Sequence, residues 1–198
     1  MASPKEQTNG YTYGDYKTWP ENERWELIEG VAWNMSPGPS PRHQLILLGL
    51  VRKIAEITDR TGCTTFVAPI DVRLPEDDTQ SEDDTPTVVQ PDISVFCDPS
   101  LLDDKGAHAA PDLVVEILSP STGYKDQTDK LALYERHGVR EYWVVNGDAK
   151  WVMVYRLESD GRYGKPDYYR RDESIHSDVL GGAEIAAGSF LTRQPTAG

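Results

Sequence analysis

Cysteine is nearly absent: the 198 residues hold two, Cys63 and Cys97. Two cysteines make neither a disulfide framework nor a four-cysteine zinc site, so a reducing cytoplasm is the simplest setting. Long apolar runs are missing too. The longest, Leu45 to Val51, spans seven residues between Gln44 and Arg52. A helix crossing a bilayer needs about twenty, so no membrane span is expected. The opening MASPKEQTNG has no apolar signal-peptide core. Positive charge is also scarce, with 20 basic residues against 33 acidic ones and a formal net charge of −13. That balance excludes a globally basic nucleic-acid binder. An anionic substrate would have to be met by a local patch.

No repeat or heptad is visible. The length suits one domain with an ample core. Residues 16–198 read as that domain, behind a loose polar segment at 1–15. Residues 75–87, PEDDTQSEDDTPT, carry six acids and no base, a composition that reads as a solvated loop.

The remainder alternates between elements. Arg24 to Met35 reads as two short strands turning near Glu29-Gly30. Ser40-Pro41 opens a helix, since serine caps well and proline is favoured at the first helical position. Leu47, Leu50, Val51, Ile54 and Ile57 supply its apolar face, and Gly62 ends it. Strands are expected at Thr64–Leu74, Val88–Cys97 and Asp112–Leu118, then a helix at Asp126–His137. A hairpin of Glu141–Asn146 and Trp151–Leu157 turns at Gly147-Asp148. The order αβββαβ, with an N-terminal hairpin and extra C-terminal strands, predicts an α/β fold: a mixed sheet flanked by helices.

Three positions stand out for chemistry: Asp92 after Pro91, Glu116 within DLVVEIL, and Lys130 in the following helix. Val114, Val115, Ile117 and Leu118 surround Glu116, so its strand reads as buried on both faces. A lone carboxylate there costs several kcal/mol unless it is neutralised, paired or bound to a cation. If the strands of Asp92 and Glu116 are neighbours, the two carboxylates can converge. Such a pair suits Mg²⁺, which takes one or two carboxylates, waters and phosphate oxygens. The plainer alternative is a structural ion pair for Glu116 and a strand start for Asp92. Lys130 alone reads as an exposed lysine paired with Asp126 at i−4.

The runs VVQPDISVFCDPS, APDLVVEILSPST and DKLALYERHGVREYWVV, with RWELIEG, MSPGPSPRHQ and FVAPIDVRL before them, resemble the Uma2 family of the PD-(D/E)XK nuclease superfamily. The resemblance covers roughly residues 20–157 and implies a restriction-endonuclease-like αβββαβ core. It implies that Asp92 is the aspartate of the PD motif and Glu116 the acidic residue of the third motif. The superfamily pattern places a lysine two residues after Glu116, where this chain has Leu118. The resemblance implies that Lys130 supplies it from the next helix.

The activity so implied is Mg²⁺-dependent (or Mn²⁺-dependent) hydrolysis of phosphodiester bonds in nucleic acid, DNA foremost. Asp92 and Glu116 would hold the ion with the Ile117 carbonyl, and Lys130 would assist. Glu26 in WELIEG joins the site by resemblance; otherwise it is a hairpin carboxylate. His43, Gln90, Asp71 and Tyr124 are further candidates for contacts to metal, water or substrate. His43 also reads as a helix-end or packing histidine, Gln90 as a structural hydrogen bond, and Asp71 as one half of an outward pair with Arg73. Tyr142, Trp143, Trp151 and Tyr155 read as core or as the face of a homodimer rather than as a base-stacking platform, because a sheet edge so apolar invites pairing. Candidate basic patches are RYGKPDYYRR at 162–171 and Arg42, Arg52, Lys53 and Arg60 on the long helix. Two other functions fit the same residues: an inactive homologue serving as a binding module, and a phosphoesterase acting on a small phosphate.

Overall fold

A computed structural model describes residues 10–35, 38–77, 79–118 and 125–192, the side chains of 125–127 excepted. Tyr13–Tyr16 forms a short helix, α1, followed by the hairpin of β1 (Trp25–Ile28) and β2 (Val31–Asn34). Helix α2 (Pro41–Thr61) precedes β3 (Thr64–Val67), β4 (Val72–Arg73), β5 (Val88–Val89) and β6 (Ile93–Phe96). β7 (Leu102–Asp103) and β8 (Gly106–Ala107) lead to β9 (Leu113–Ile117) and helix α3 (Lys125–Arg136). The chain closes with β10 (Glu141–Asn146), β11 (Trp151–Arg156), β12 (Asp167–Arg170), β13 (Ser174–Ser177), β14 (Ala183–Ala186) and the short helix α4 (Gly188–Leu191).

These elements form two compact units. One comprises Met1–Gly38, Pro69–Gln90 and Ser100–Ala110; the other comprises Pro39–Ala68, Pro91–Pro99 and Pro111–Gly198. The chain passes between them five times, and each passage falls at a proline: Pro39, Pro69, Pro91, Pro99 and Pro111. Proline donates no ladder hydrogen bond and restricts the residue before it, so it ends a strand where the chain must leave a sheet. This corrects two expected strands. Thr64–Leu74 divides into β3 and β4, and Val88–Cys97 into β5 and β6, with each pair shared between the two units.

The first unit is built on a sheet of order β2-β1-β5-β4-β8-β7. Its hairpin turns at Glu29 and Gly30, both with positive φ (51° and 76°). That matches the right-handed strand twist. Of the segment expected to be loose, residues 1–9 lie outside the described residues. Residues 10–15 are held: Tyr13 is buried with Leu27 and Val88. Arg73 is only 1% exposed. Its Nε donates to the Ala107 carbonyl at 3.0 Å, one Nη to both Asp103 oxygens at 2.8 Å, and the other to Glu82. It therefore does not form an outward pair with Asp71. The acidic loop expected to be wholly solvated sends Glu82 back to this guanidinium.

The second unit is a mixed sheet of order β12-β11-β10-β9-β6-β3, parallel only between β9 and β10. Helix α2 begins as the sequence predicts: Ser40 accepts the His43 amide, Pro41 follows, and Gly62 closes the helix in the left-handed region at φ 79°. Ile46, Leu50 and Ile54 of α2 pack on Leu113, Val115 and Ile117 of β9. Alternation turns Val114 and Glu116 to the opposite face, where Tyr134 of α3 meets Glu116 and packs edge-on to Tyr142. One long helix thus lies on each face, as predicted.

Two expectations change here. Cys63 and Cys97 are joined by a disulfide closing a span of 34 residues. They flank the paired ends Thr64 and Phe96, a juxtaposition that only the strand pairing creates. Closing a loop of that size contributes about 4 kcal/mol in the chain-entropy model, and the bond removes the cysteine argument for a reducing compartment. β11 is not an open edge either, because β12 pairs along it. The apolar-edge argument for a homodimer therefore falls. Among the described residues, no helix is long and apolar enough to cross a membrane.

Burial of Arg73 yields a stability prediction. Arg73→Met should destabilise by about 2 kcal/mol, the cost of leaving the Ala107 carbonyl unpaired and losing two charge-assisted contacts. Glu82 and Asp103 are held below their ordinary values of 4.5 and 3.8, by hydrogen bonds from Lys105 and Arg73 respectively. Depressed carboxylates stabilise the fold above those values and lose the effect as pH falls through their lowered ones. The gap between wild type and variant in urea unfolding should hold steady above about pH 5 and shrink below about pH 4.

Candidate active site

Asp92 stands just before β6 and Glu116 lies inside β9. The register Ile93↔Val115 between these antiparallel strands brings the two residues to adjoining positions at the end of the ladder. The Asp92 Oδ2 accepts the Ile117 amide at 2.7 Å and meets His43 Nε2 at 3.1 Å. Its carboxylate is thereby fixed by the strand that carries Glu116 and by the first turn of α2.

Glu116 is paired. Its Oε1 accepts from Lys130 Nζ and from the Tyr134 hydroxyl, both at 2.9 Å. The Lys130 side chain is 9% exposed and that of Glu116 15%, so this is not the solvated helix lysine of the plainer reading. Tyr134 was not singled out from the sequence. The signal was its place four residues after Lys130, on the same helical face. Tyr134 and Tyr142 are fully or almost fully buried. Burial raises the Tyr142 phenol well above its ordinary value, and the Glu116 charge adds to the effect.

His43 is 9% exposed. Burial alone would lower its pKa, but the Asp92 hydrogen bond and the charges of Asp92 and Glu116 outweigh that and raise it. A protonated His43 then donates to Asp92 and counters its charge. Its Nδ1 is buried without a hydrogen-bond partner among the described residues. The cluster balances two carboxylates against one lysine and a histidine biased toward its cationic form.

The other candidates gather in the first unit. Glu26, 5% exposed on β1, accepts the Gln90 amide at 2.9 Å. Gln90 accepts from Arg24 at 3.0 and 3.3 Å and donates to Asp71 at 2.9 Å. Tyr16 donates to the same Asp71 oxygen at 2.8 Å. Burial, and then the Asp71 charge, push the Tyr16 phenol far above its ordinary range. The Gln90 side chain is thus engaged by Arg24, Tyr16 and Asp71. Tyr124 lies outside the described residues.

Glu141 offers a contrast. It is 2% exposed, yet it is satisfied by the Ser177 hydroxyl, the amides of Asp178 and Val179 and the Trp143 indole. Such a carboxylate has no donor capacity to offer a ligand. Asp92 and Glu116 differ, because hard oxygens there stand beside a lysine. Among the described residues no group of three or more His, Cys, Asp or Glu is disposed around a metal ion. A donor set of two carboxylates suits an ion that keeps waters and takes phosphate oxygens, as Mg²⁺ does.

Among the expected basic contacts, Arg42 pairs with Asp148 at 3.2 Å and Arg162 with Glu135 at 3.0 Å. Arg60 reaches Glu56 only at 3.8 Å, while Arg52 and Lys53 are exposed on α2.

Comparison with known proteins agrees with this architecture. A solved structure from Anabaena variabilis, described as "a putative nuclease belonging to DUF820", superposes with a TM-score of 0.73 at 21% identity. The match covers 92% of this chain and 98% of that one, so the fold is shared. An uncharacterized protein of Synechocystis sp. is 28% identical over 161 residues, 80% of each chain. The Uma2 family model, described as "Putative restriction endonuclease", matches residues 13–188. A match over that much of the sequence, with the shared fold, places this chain in the Uma2 family.

Proposed function

We propose that this protein is a Mg²⁺-dependent endonuclease whose reaction centre is Asp92, Glu116 and Lys130. One observation carries the reading. Lys130, from helix α3, buries its ammonium 2.9 Å from the third-motif carboxylate, in the role left open by Leu118. A long lysine stem can run over apolar surface and deliver its charge to a strand.

Asp92 and Glu116 would hold the ion, with the Ile117 carbonyl as a further oxygen, and Mn²⁺ would serve as well. Bound there, it would lower the pKa of a water and polarise the scissile phosphate. The chain's own residues do the rest. His43 orients Asp92 and offsets its charge. Tyr134 fixes the Glu116 carboxylate. Lys130 is poised to shift between Glu116 and the charge developing on phosphate. DNA is the substrate to which the family description points. Cleaving both strands of a duplex would call for two copies of the chain, and a homodimer rests on that requirement alone; an unpaired strand would call for one. A cytoplasmic nuclease would carry Cys63 and Cys97 as thiols.

A purely structural Glu116–Lys130 pair gives the same contact but answers metal differently. Glu116→Gln keeps the Tyr134 hydrogen bond and leaves Lys130 without its counter-charge, so metal-free stability should fall. The deciding quantity is the Mg²⁺-induced rise in melting temperature. Wild type should show it by mass action, and Glu116→Gln and Asp92→Asn should not. A rise that persists unchanged in Glu116→Gln would remove Glu116 from the ligand set.

Lys130→Ala separates positioning from rate. Its melting temperature should still respond to Mg²⁺, since both carboxylates remain. Cleavage should slow by roughly 10²–10³-fold, the usual contribution of one electrostatic group in the transition state. Unchanged cleavage by Lys130→Ala would return Lys130 to a structural role.

A further inference from the structure

The sheet face that carries Glu116 runs outward past α3. Register draws a straight row: Glu116 pairs with Val144, Val144 with Met153, and Met153 with Tyr168. Directly paired residues point to one side. The intervening Val115, Val145, Val152 and Tyr169 lie on the opposite side, in the core under α2. Three strand spacings place Tyr168 roughly 14 Å from Glu116 along the face.

The end of this row is unlike the rest of the sheet. Tyr168 is 48% exposed, and its ring centroid lies 5.7 Å from that of Trp151. Arg170 stands directly across from Trp151 and is exposed. Among the described residues no ion pair engages the Arg170 guanidinium, although Glu173 accepts the Arg170 backbone amide at 2.5 Å, and no hydrogen bond engages the Trp151 indole or the Tyr168 hydroxyl. Two rings and the Arg170 guanidinium thus share the face of the candidate reaction centre.

We propose that Tyr168, Trp151 and Arg170 form a shelf that binds an unpaired nucleic-acid strand and leads it along the sheet toward Glu116. Aromatic faces stack on any base, and a guanidinium meets phosphate. Bases inside a duplex already stack on one another and cannot use such rings. A net charge of −13 opposes loose duplex binding and favours a ligand held by stacking. The charged Asp167 and Arg170 on β12 blunt this edge against a further protein strand. The proposal deepens the nuclease reading by naming the substrate's form and rests on that reading only for the chemistry at Glu116.

The test is fluorescence anisotropy with labelled oligothymidylate of about 12 nucleotides, in chelator and at several salt concentrations, using the full chain. Wild type should bind it more tightly than a duplex of equal length. Tyr168→Ala should weaken binding roughly tenfold, while Tyr168→Phe, which keeps the ring, should bind like wild type. Arg170→Ala should lower the salt dependence by about one counterion. All three should melt like wild type, since these side chains stand in water. The shelf is overturned if wild type fails to bind, if duplex binds as well as single strand, or if Tyr168→Ala binds normally. It is also overturned if Tyr168→Ala changes sedimentation instead, which would make β12 a self-association edge. Metal-linked melting at Asp92 and Glu116 is read separately, so the loss of either proposal leaves the other standing.

Discussion

A carboxylate placed in a strand buried on both faces must be matched by a cation or by a full set of hydrogen-bond donors, and here Glu116 is matched by Lys130. Much of the second unit follows from that demand. Helix α3 lies where Lys130 can reach β9, and the same turn brings Tyr134 onto Glu116 and against Tyr142. Desolvating two charges costs several kcal/mol per ion, and a well-packed apolar pair often does as well or better. A pair kept in spite of that cost fits chemistry better than stability. Glu141, more deeply buried and satisfied by two amides, a hydroxyl and an indole, shows what a structural carboxylate looks like in the same sheet.

The features legible in the sequence were those set by local rules. Helix α2 with its Ser40 and Gly62 ends, the β1–β2 turn and the β10–β11 hairpin each rest on capping, turn chemistry or period. The oddity of Glu116 was legible because burial follows from its neighbours. What was not legible depends on which strands meet. Residues 88–97 look like one strand because β propensity is continuous, yet Pro91 marks a passage between units. The Cys63–Cys97 bond needs the β3–β6 register. Arg73, two residues from Asp71, reads as half of an outward pair until its strand is known to run between β5 and β8. Tyr134 is hidden in a helix whose apolar face already accounts for it.

Charge gives the functional reading its shape. Six of the acids lie in residues 75–87, and one of them, Glu82, serves Arg73. Among the described residues Arg170 on β12 and Arg52 and Lys53 on α2 are exposed without an ion pair, whereas Arg42 and Arg162 are held by carboxylates. Membership of the Uma2 family and the shared fold establish ancestry and architecture, but a fold hosts many chemistries. The case for phosphodiester cleavage therefore rests on the site: two carboxylates at adjoining ladder positions, a lysine buried against one and a histidine orienting the other.

The most direct measurement is anomalous diffraction from crystals of the wild-type protein soaked in Mn²⁺, which takes the same hard oxygen donors as Mg²⁺. The account predicts a peak within coordination distance of both Asp92 and Glu116, with Lys130 Nζ displaced from Glu116 Oε1. Crystals that bind Mn²⁺ only elsewhere, with the Lys130–Glu116 contact intact, would contradict it.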